Sequence, residues 1–267
     1  NRKLVRKHLR AFIEKTGIPF VTTQMGKGVE DERSPHYLGT TALSAGDFVH
    51  GAIAKADAIL MVGHDITEKP PLLPQGSSSP EVVHINFYQA EVDDVYAPSL
   101  EVIGDIAHTF WAMTEQVTTL PQWNFESFYA FRDALNAQLA SESTLSTFPL
   151  RPERLVADIR RVMPPEGILS LDNGMYKLWV ARNYPAYEQN TVLLDNALAT
   201  MGAGLPAGMA AKMLYPERPV LVIAGDGGIM MNISELETAK RLELDLVVLI
   251  LNDSGYGMIS WKQGEMK

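Results

Sequence analysis

Apolar positions along the chain alternate between two periods. In "NRKLVRKHLRAFIE" (residues 1–14), Leu4, Val5, Leu9, Phe12 and Ile13 recur at helical spacing, so an amphipathic helix is predicted. "GIPFVTT" reads as a short strand and "DFVHGAIAKA" as a helix. "DAILMVG", "EVVHINF" and "SLEVIGD" are short apolar runs of strand length, and "IAHTFWAMTEQV" is again helical. A Pro-, Ser- and Gly-rich loop separates Gly63 from Glu81. Residues 116–150 read as a linker with one helix around Phe125–Leu139, and then the alternation restarts. "RPERLVADIRRVM", "KLWVARNYP", "LPAGMAAKMLY" and "SELETAKRLE" carry helical patterns, and "GILSLDNG", "PVLVIAGDGG" and "LDLVVLILND" carry strands.

Continuously apolar strands between helices predict parallel sheets covered on both faces. The expected fold is α/β, with two doubly wound parallel-sheet domains. The first, Rossmann-like, spans residues 1–115; residues 116–150 link it to a second spanning 151–267. No repeat of fixed period is present. Because the chain opens inside a helix with no leading strand and ends in "WKQGEMK" just after a strand and loop, it is expected to be a piece of a longer protein.

The bulk numbers narrow the function. A net charge of −9 over 267 residues disfavours nucleic acid or an anionic membrane as a general partner. With no Cys, disulfides and thiolate metal sites are absent, as in a reducing compartment. No apolar run reaches transmembrane length and no signal peptide opens the chain, so a cytoplasmic protein is expected.

Candidate chemistry gathers near the C-terminus. In "VLVIAGDGG", Asp226 follows an apolar strand and is flanked by Gly225, Gly227 and Gly228. Ligands of open parallel sheets bind beyond the carboxyl ends of strands, and glycines allow close backbone approach. Asn232 and Glu235 have the spacing of a capping box, which would point a helix N-terminus at the same crevice and suit a diphosphate. The next strand, "LVVLILND", would run parallel and bring Asp253 to the same edge. Two facing carboxylates repel unless a hard cation lies between them, and Mg²⁺ shared with diphosphate oxygens fits, with the Gly255 carbonyl as a further donor. The plainer alternative is a βαβ unit with ordinary acidic turns.

The GDG of residues 225–227 and the Asn-Asp of 252–253 resemble the fingerprint of thiamine-diphosphate (ThDP) enzymes, with Asp253 where many members have Asn. "NALATMGAGLPAGMAAKMLYPERPVLVIAGDG" is similar to the acetolactate synthase (acetohydroxyacid synthase) large-subunit branch. The resemblance implies Mg²⁺ held by Asp226, Asp253 and the Gly255 carbonyl. It implies that Met201 sets the folded V conformation of the cofactor, with the Ala199 backbone at its aminopyrimidine; otherwise Met201 is a core gap-filler. "LDNGMYKLW" resembles a diphosphate-side loop with Asn173, Gly174, Met175 and Tyr176; Asp172 and Asn173 also suit a plain turn. In "YGMISW", Tyr256 and Met258 match cofactor-side positions. Met258 and Trp261 would shape the substrate pocket, although Trp261 falls one residue earlier than in the biosynthetic enzymes.

The N-terminal half resembles the central domain of the same family. FAD stays open there, because Gly63-His64-Asp65 lacks the Arg expected after that strand. "MGKG" is no Walker loop, and Lys27 is expected to be a solvated loop residue. The six histidines form no metal-spaced pair and read as structural.

What the resemblance lacks is the pyrimidine-binding domain with its Glu. It implies decarboxylation of a 2-oxo acid such as pyruvate, carboligation to a second carbonyl, and a homodimer or homotetramer with the active site between subunits. By itself the piece is expected to be inactive. A 2-oxo-acid decarboxylase or aldehyde lyase, or a non-catalytic nucleotide- or FAD-binding module, are the rival readings. An NAD-dependent dehydrogenase is disfavoured, since "GAGLPAG" follows no apolar strand.

Overall fold

The computed structural model describes residues 2–41, 48–65, 67–68, 80–92, 96–118 and 123–266. Most of the expected Pro- and Ser-rich loop and part of the linker lie outside the described residues. The chain divides into two compact units: Asn1–Thr23 with Ser34–Gln138, and Gln24–Arg33 with Leu139–Lys267.

The first unit runs α1 (Arg2–Thr16), β1 (Phe20–Thr22), β2 (Tyr37–Thr40), α2 (Phe48–Ile53), β3 (Ala58–Val62), β4 (Glu81–Asn86), β5 (Leu100–Ile103) and α3 (Ile106–Gln116). Strands β3, β4 and β5 pair in parallel in sequence order, and β1 pairs in parallel with β2. The apolar stripe of α1 meets α3: Phe12 packs edge-on against Phe110, with ring centroids 5.3 Å apart. Ile85 and Ile106 complete this core, with Val5 and Leu9 against it. Asp105 caps α3 by accepting the His108 N–H at 2.7 Å, a bond worth about 1 kcal/mol.

The division between the units falls within α4 (Glu126–Ser143), where the pattern predicts the linker's helix. The second unit continues with α5 (Pro152–Val162), β6 (Ile168–Leu171), α6 (Met175–Asn183), β7 (Val192–Leu193), α7 (Gly204–Leu214), β8 (Val220–Gly225), α8 (Asp226–Met231), α9 (Glu235–Arg241), β9 (Val247–Leu251) and α10 (Gly257–Glu265). Its strands are all parallel, in the order β7-β6-β8-β9. Side chains alternate across this sheet. Leu221 and Ile223 of β8 face Val156 and Ile159 of α5 and Val180 of α6. Val222 and Ala224 face Leu205 and Met209 of α7 and Ala239 of α9. Apolar residues at every position of β8 therefore serve two cores, one under each helical layer. Gly208 lets α7 lie close on the sheet, for a Cβ there would come within 2.4 Å of Val222 Cγ2.

Lys27 corrects the sequence expectation. It is buried, and its ammonium meets Glu32 Oε2 at 2.8 Å, with side-chain exposures of 1% and 0%. The same carboxylate accepts the Ala186 N–H at 2.8 Å, and Arg33 stacks over the Tyr187 ring at 4.3 Å. So Gln24–Arg33 packs in the second unit, against a loop that no local pattern connects to it. Among the histidines, His84 bonds the Tyr96 hydroxyl and the Tyr88 carbonyl. His64 has two buried ring nitrogens without a hydrogen-bond partner among the described residues and packs against Tyr96; burial pushes its pKa down. Among the described residues no helix is long and apolar enough to cross a membrane.

Candidate functional site

From β6 the chain passes through α6 to β7 on one side of the sheet, whereas β8 leads to β9 on the other. Such a reversal opens a crevice beyond the carboxyl ends of the two central strands. Three segments reach it: Asp172–Tyr176 after β6, Gly225–Gly228 after β8, and Asn252–Gly257 after β9. In the register, Gly225 of β8 pairs with Leu251 of β9, so Asp226 and Asp253 leave adjacent strand ends on the same edge.

The bare backbone after β8 is lined by the chain's own side chains. A Cβ on Gly225 would lie 3.1 Å from Tyr176 Cε1, and one on Gly227 would lie 2.5 Å from Tyr256 Cε1 and 3.3 Å from Met201 Cε. At Gly228 it would fall 2.1 Å from Asp172 Oδ2. Gly228 is thus required by a carboxylate from β6 rather than by room for a ligand. Gly227 marks where Met201 and Tyr256 converge. Burial first, then the Asp172 charge, raises the Tyr176 phenol well above its ordinary pKa, with the Gly225 backbone pulling the other way.

The loop after β9 is braced from within. Asn252 Oδ1 accepts the Ser254 N–H at 2.9 Å, and Asp253 Oδ1 accepts the Gly255 N–H at 3.2 Å. A Cβ on Gly257 would come within 2.9 Å of Met175 Cγ and 3.3 Å of Asp253 Oδ2. Asn173 donates through Nδ2 to the Ala199 carbonyl at 3.2 Å, which ties the β6 loop to the segment carrying Met201. Leu198 on that segment is fully exposed with φ of 46°, a left-handed conformation that costs a branched apolar residue about 1–2 kcal/mol.

Most of the residues expected at the site meet here. Asn173 and Ala199 are bonded to each other. Met175, Tyr176, Met201, Gly225, Gly227, Asp253, Gly255 and Tyr256 are linked by the contacts above, and Asp226 opens α8 beside them. Gly174 is the N-cap residue of α6. Met258 is half-buried in α10, whereas Trp261 on the same helix is 48% exposed, its ring 6.0 Å from the Lys262 ammonium. Asn232 is not the N-cap of α9, which corrects the expected capping box. Helix α8 begins at Asp226 itself, α9 begins after Ser234, and Asn232 Nδ2 donates instead to the Gly202 carbonyl at 2.8 Å. The Asn-x-x-Glu spacing fits a cap, but the helix already formed by the GDG segment leaves Asn232 facing the turn at Gly202. Asp172 was the residue least legible in sequence: it reads as a turn-former, yet it is buried and accepts the Gly202 N–H at 2.7 Å.

Both halves of the chain resemble known proteins. Residues 172–267 match the family described as "Thiamine pyrophosphate enzyme, C-terminal TPP binding domain", and residues 1–113 match "Thiamine pyrophosphate enzyme, central domain". The chain belongs to the thiamine pyrophosphate enzyme family. Acetolactate synthase of Bacillus subtilis is 28% identical over 274 residues, covering 96% of this chain and 46% of the relative. Pyruvate oxidase of Lactiplantibacillus plantarum is 28% identical over 262 residues, covering 96% and 43%. The chloroplastic acetolactate synthase of Arabidopsis thaliana is 29% identical over 258 residues, covering 94% and 38%. The chain spans about half the length of the curated relatives it matches. Within the family, the crevice described above falls in the C-terminal TPP-binding domain, and the β3-β4-β5 sheet falls in the central domain.

Proposed function

We infer that this chain supplies the diphosphate-anchoring and central parts of an acetolactate-synthase-like enzyme. That enzyme uses ThDP and Mg²⁺ to decarboxylate a 2-oxo acid, pyruvate, and joins the remainder to a second carbonyl. The observation that carries the reading is the convergence of Asp226 and Asp253 at adjacent parallel strand ends, beside a Gly227 that meets Met201.

The donor set fits the metal. Among the described residues no three acidic or His side chains gather. Two carboxylates and the Gly255 carbonyl are hard oxygen donors, and they leave positions for phosphate oxygens and water, as Mg²⁺ prefers. At the diphosphate end, Gly225 and Gly227 add no side chain of their own at the strand end where Tyr176, Tyr256 and Met201 converge, whereas the space at Gly228 is taken by Asp172. ThDP, when bound, supplies the nucleophilic carbon and the electron sink. The chain's part is positional. Asp226, Asp253 and the Gly255 carbonyl would hold the metal, Met201 would offer an apolar support, and the Ala199 carbonyl can accept a second hydrogen bond beside the one from Asn173. The active enzyme is a homo-oligomer with the site completed between subunits.

Calorimetry of the full-length protein with ThDP and Mg²⁺ tests this. Asp226→Ala or Asp253→Ala is expected to weaken ThDP binding by at least about tenfold, or 1.4 kcal/mol. No binding by the parent, or equal affinity in Asp226→Ala, would sink the reading. Incubation with pyruvate then separates the chemistries, with acetolactate as the expected product and free aldehyde pointing to a simple decarboxylase.

A further inference from the structure

Gly202 is gripped on both of its peptide groups by side chains from distant parts of the second unit. Asp172, at the end of β6 and 1% exposed, accepts the Gly202 N–H through Oδ1 at 2.7 Å. The same oxygen accepts the Asn173 N–H at 2.8 Å and faces the Gly204 N–H at 3.5 Å. From the other side, Asn232 Nδ2 donates to the Gly202 carbonyl at 2.8 Å.

The residue between them has no freedom to be anything but glycine. Its φ is +90°, and a Cβ would lie 2.8 Å from Asn232 Nδ2 and 2.8 Å from Met231 Cβ. The peptide that Asp172 holds is the one joining Met201 to Gly202, so the clamp acts one bond away from the Met201 Cα. Met201 in turn places its Cε beside Gly227. Asp172 and Asn232 flank α8: Asp172 Oδ2 abuts Gly228 within that helix, and Asn232 is its C-cap residue. One short helix and one strand end thereby fix the turn that carries Met201.

We propose that Asp172 and Asn232 are positioning residues that hold the Met201 side chain over Gly227 by clamping both sides of Gly202. Neither needs to touch a cofactor to do this. Their effect on catalysis rests on the function inferred above, whereas their effect on Met201 does not.

The hydrogen-bond chemistry gives the test its control. Asp172→Asn keeps an amide oxygen able to accept from Gly202, so the clamp survives. Asp172→Ala removes the acceptor. Asn232→Asp preserves size but replaces the donor with an oxygen facing the Gly202 carbonyl, so the clamp opens. The full chain is labelled with ¹³C-methyl methionine, and the Met201 resonance is assigned among the twelve methionines with Met201→Leu.

Without cofactor, Asn232→Asp and Asp172→Ala are expected to shift or broaden the Met201 methyl resonance, and Asp172→Asn to leave it in place. In the full-length enzyme the same two variants should lose about tenfold or more in turnover of the 2-oxo acid, with Asp172→Asn within about threefold of the parent. If Asp172→Ala does not fold, Asn232→Asp carries the test alone. An unmoved Met201 resonance in folded Asn232→Asp overturns the proposal, and so does a displaced one in Asp172→Asn. Failure of the parent to bind ThDP would instead overturn the functional reading and leave the clamp standing.

Discussion

Replacing Lys27 by Met removes one half of a fully buried ion pair. The Glu32 carboxylate keeps the Ala186 N–H at 2.8 Å and the longer Gly28 N–H contact at 3.4 Å, but loses the ammonium at 2.8 Å. Breaking a buried pair from one side costs about 3–5 kcal/mol, because the remaining charge stays out of water. Glu32→Gln instead removes the carboxylate that the Lys27 ammonium meets at 2.8 Å. Burial already depresses the Lys27 pKa against the attraction of Glu32, so in that variant Lys27 is expected to shed its proton more readily, which softens the loss. The double variant Lys27→Met/Glu32→Gln leaves no charge and still offers an amide oxygen to Ala186. Its expected cost is about 1–2 kcal/mol, below that of Lys27→Met alone. Urea unfolding followed by far-ultraviolet circular dichroism measures this. At a slope of about 2 kcal/mol per molar, the midpoint of Lys27→Met should fall by about 1.5–2.5 M. A midpoint within about 0.5 M of the parent, or a double variant as destabilised as the two singles combined, would refute the reasoning.

Two more predictions concern Gly28 of the same unit and one buried tyrosine from each unit. Gly28 has φ of +75°, and a Cβ there would come within 2.4 Å of the Glu188 carbonyl oxygen. Gly28→Ala should therefore cost more than the roughly 1 kcal/mol of a strained backbone alone, read as a lowered urea midpoint; an unchanged midpoint would mean that residues 24–33 do not pack against the 184–188 loop. Burial raises the phenols of Tyr96 and Tyr184 to about 12 from an ordinary 10.0. A phenol whose folded pKa is raised keeps its proton better folded than unfolded. Its contribution is complete below pH 10 and is lost as the pH climbs through 12. Ultraviolet titration of the folded chain should show these two and Tyr176 ionising after the rest of its nine tyrosines, and Tyr184→Phe should flatten the alkaline fall in stability; a single transition for all tyrosines would contradict this burial.

Much of the architecture was legible because it is local. The apolar stripe of α1 and the continuous strand β8 follow from residue spacing, and they report burial directly. The edge shared by Asp226 and Asp253 was also legible, since parallel strands joined by a helical crossover must end on one side of the sheet. Most of the elements that escaped are short, although the nine-residue α10 also reads as a loop in sequence. Strand β7 has two residues, and α8 hides in a glycine run that reads as a loop. The misread residues had partners far off in sequence. Asn232 sits at capping distance from Glu235 but bonds Gly202, and Lys27 looks solvated until Glu32 and the loop around Ala186 enclose it.

The sequence by itself determined most of the helix–strand order, the parallel topology of the C-terminal sheet and the acidic residues at its edge, since each depends on spacing within a few residues or one crossover. Only the tertiary structure decided that Asp172 occupies the space beside Gly228, that Gly202 is held from two sides, and that Gln24–Arg33 packs with the second unit. Those facts depend on side chains brought together across long stretches of chain, where hydrogen-bond geometry and the exclusion of water choose the partner and local pattern carries no information about it.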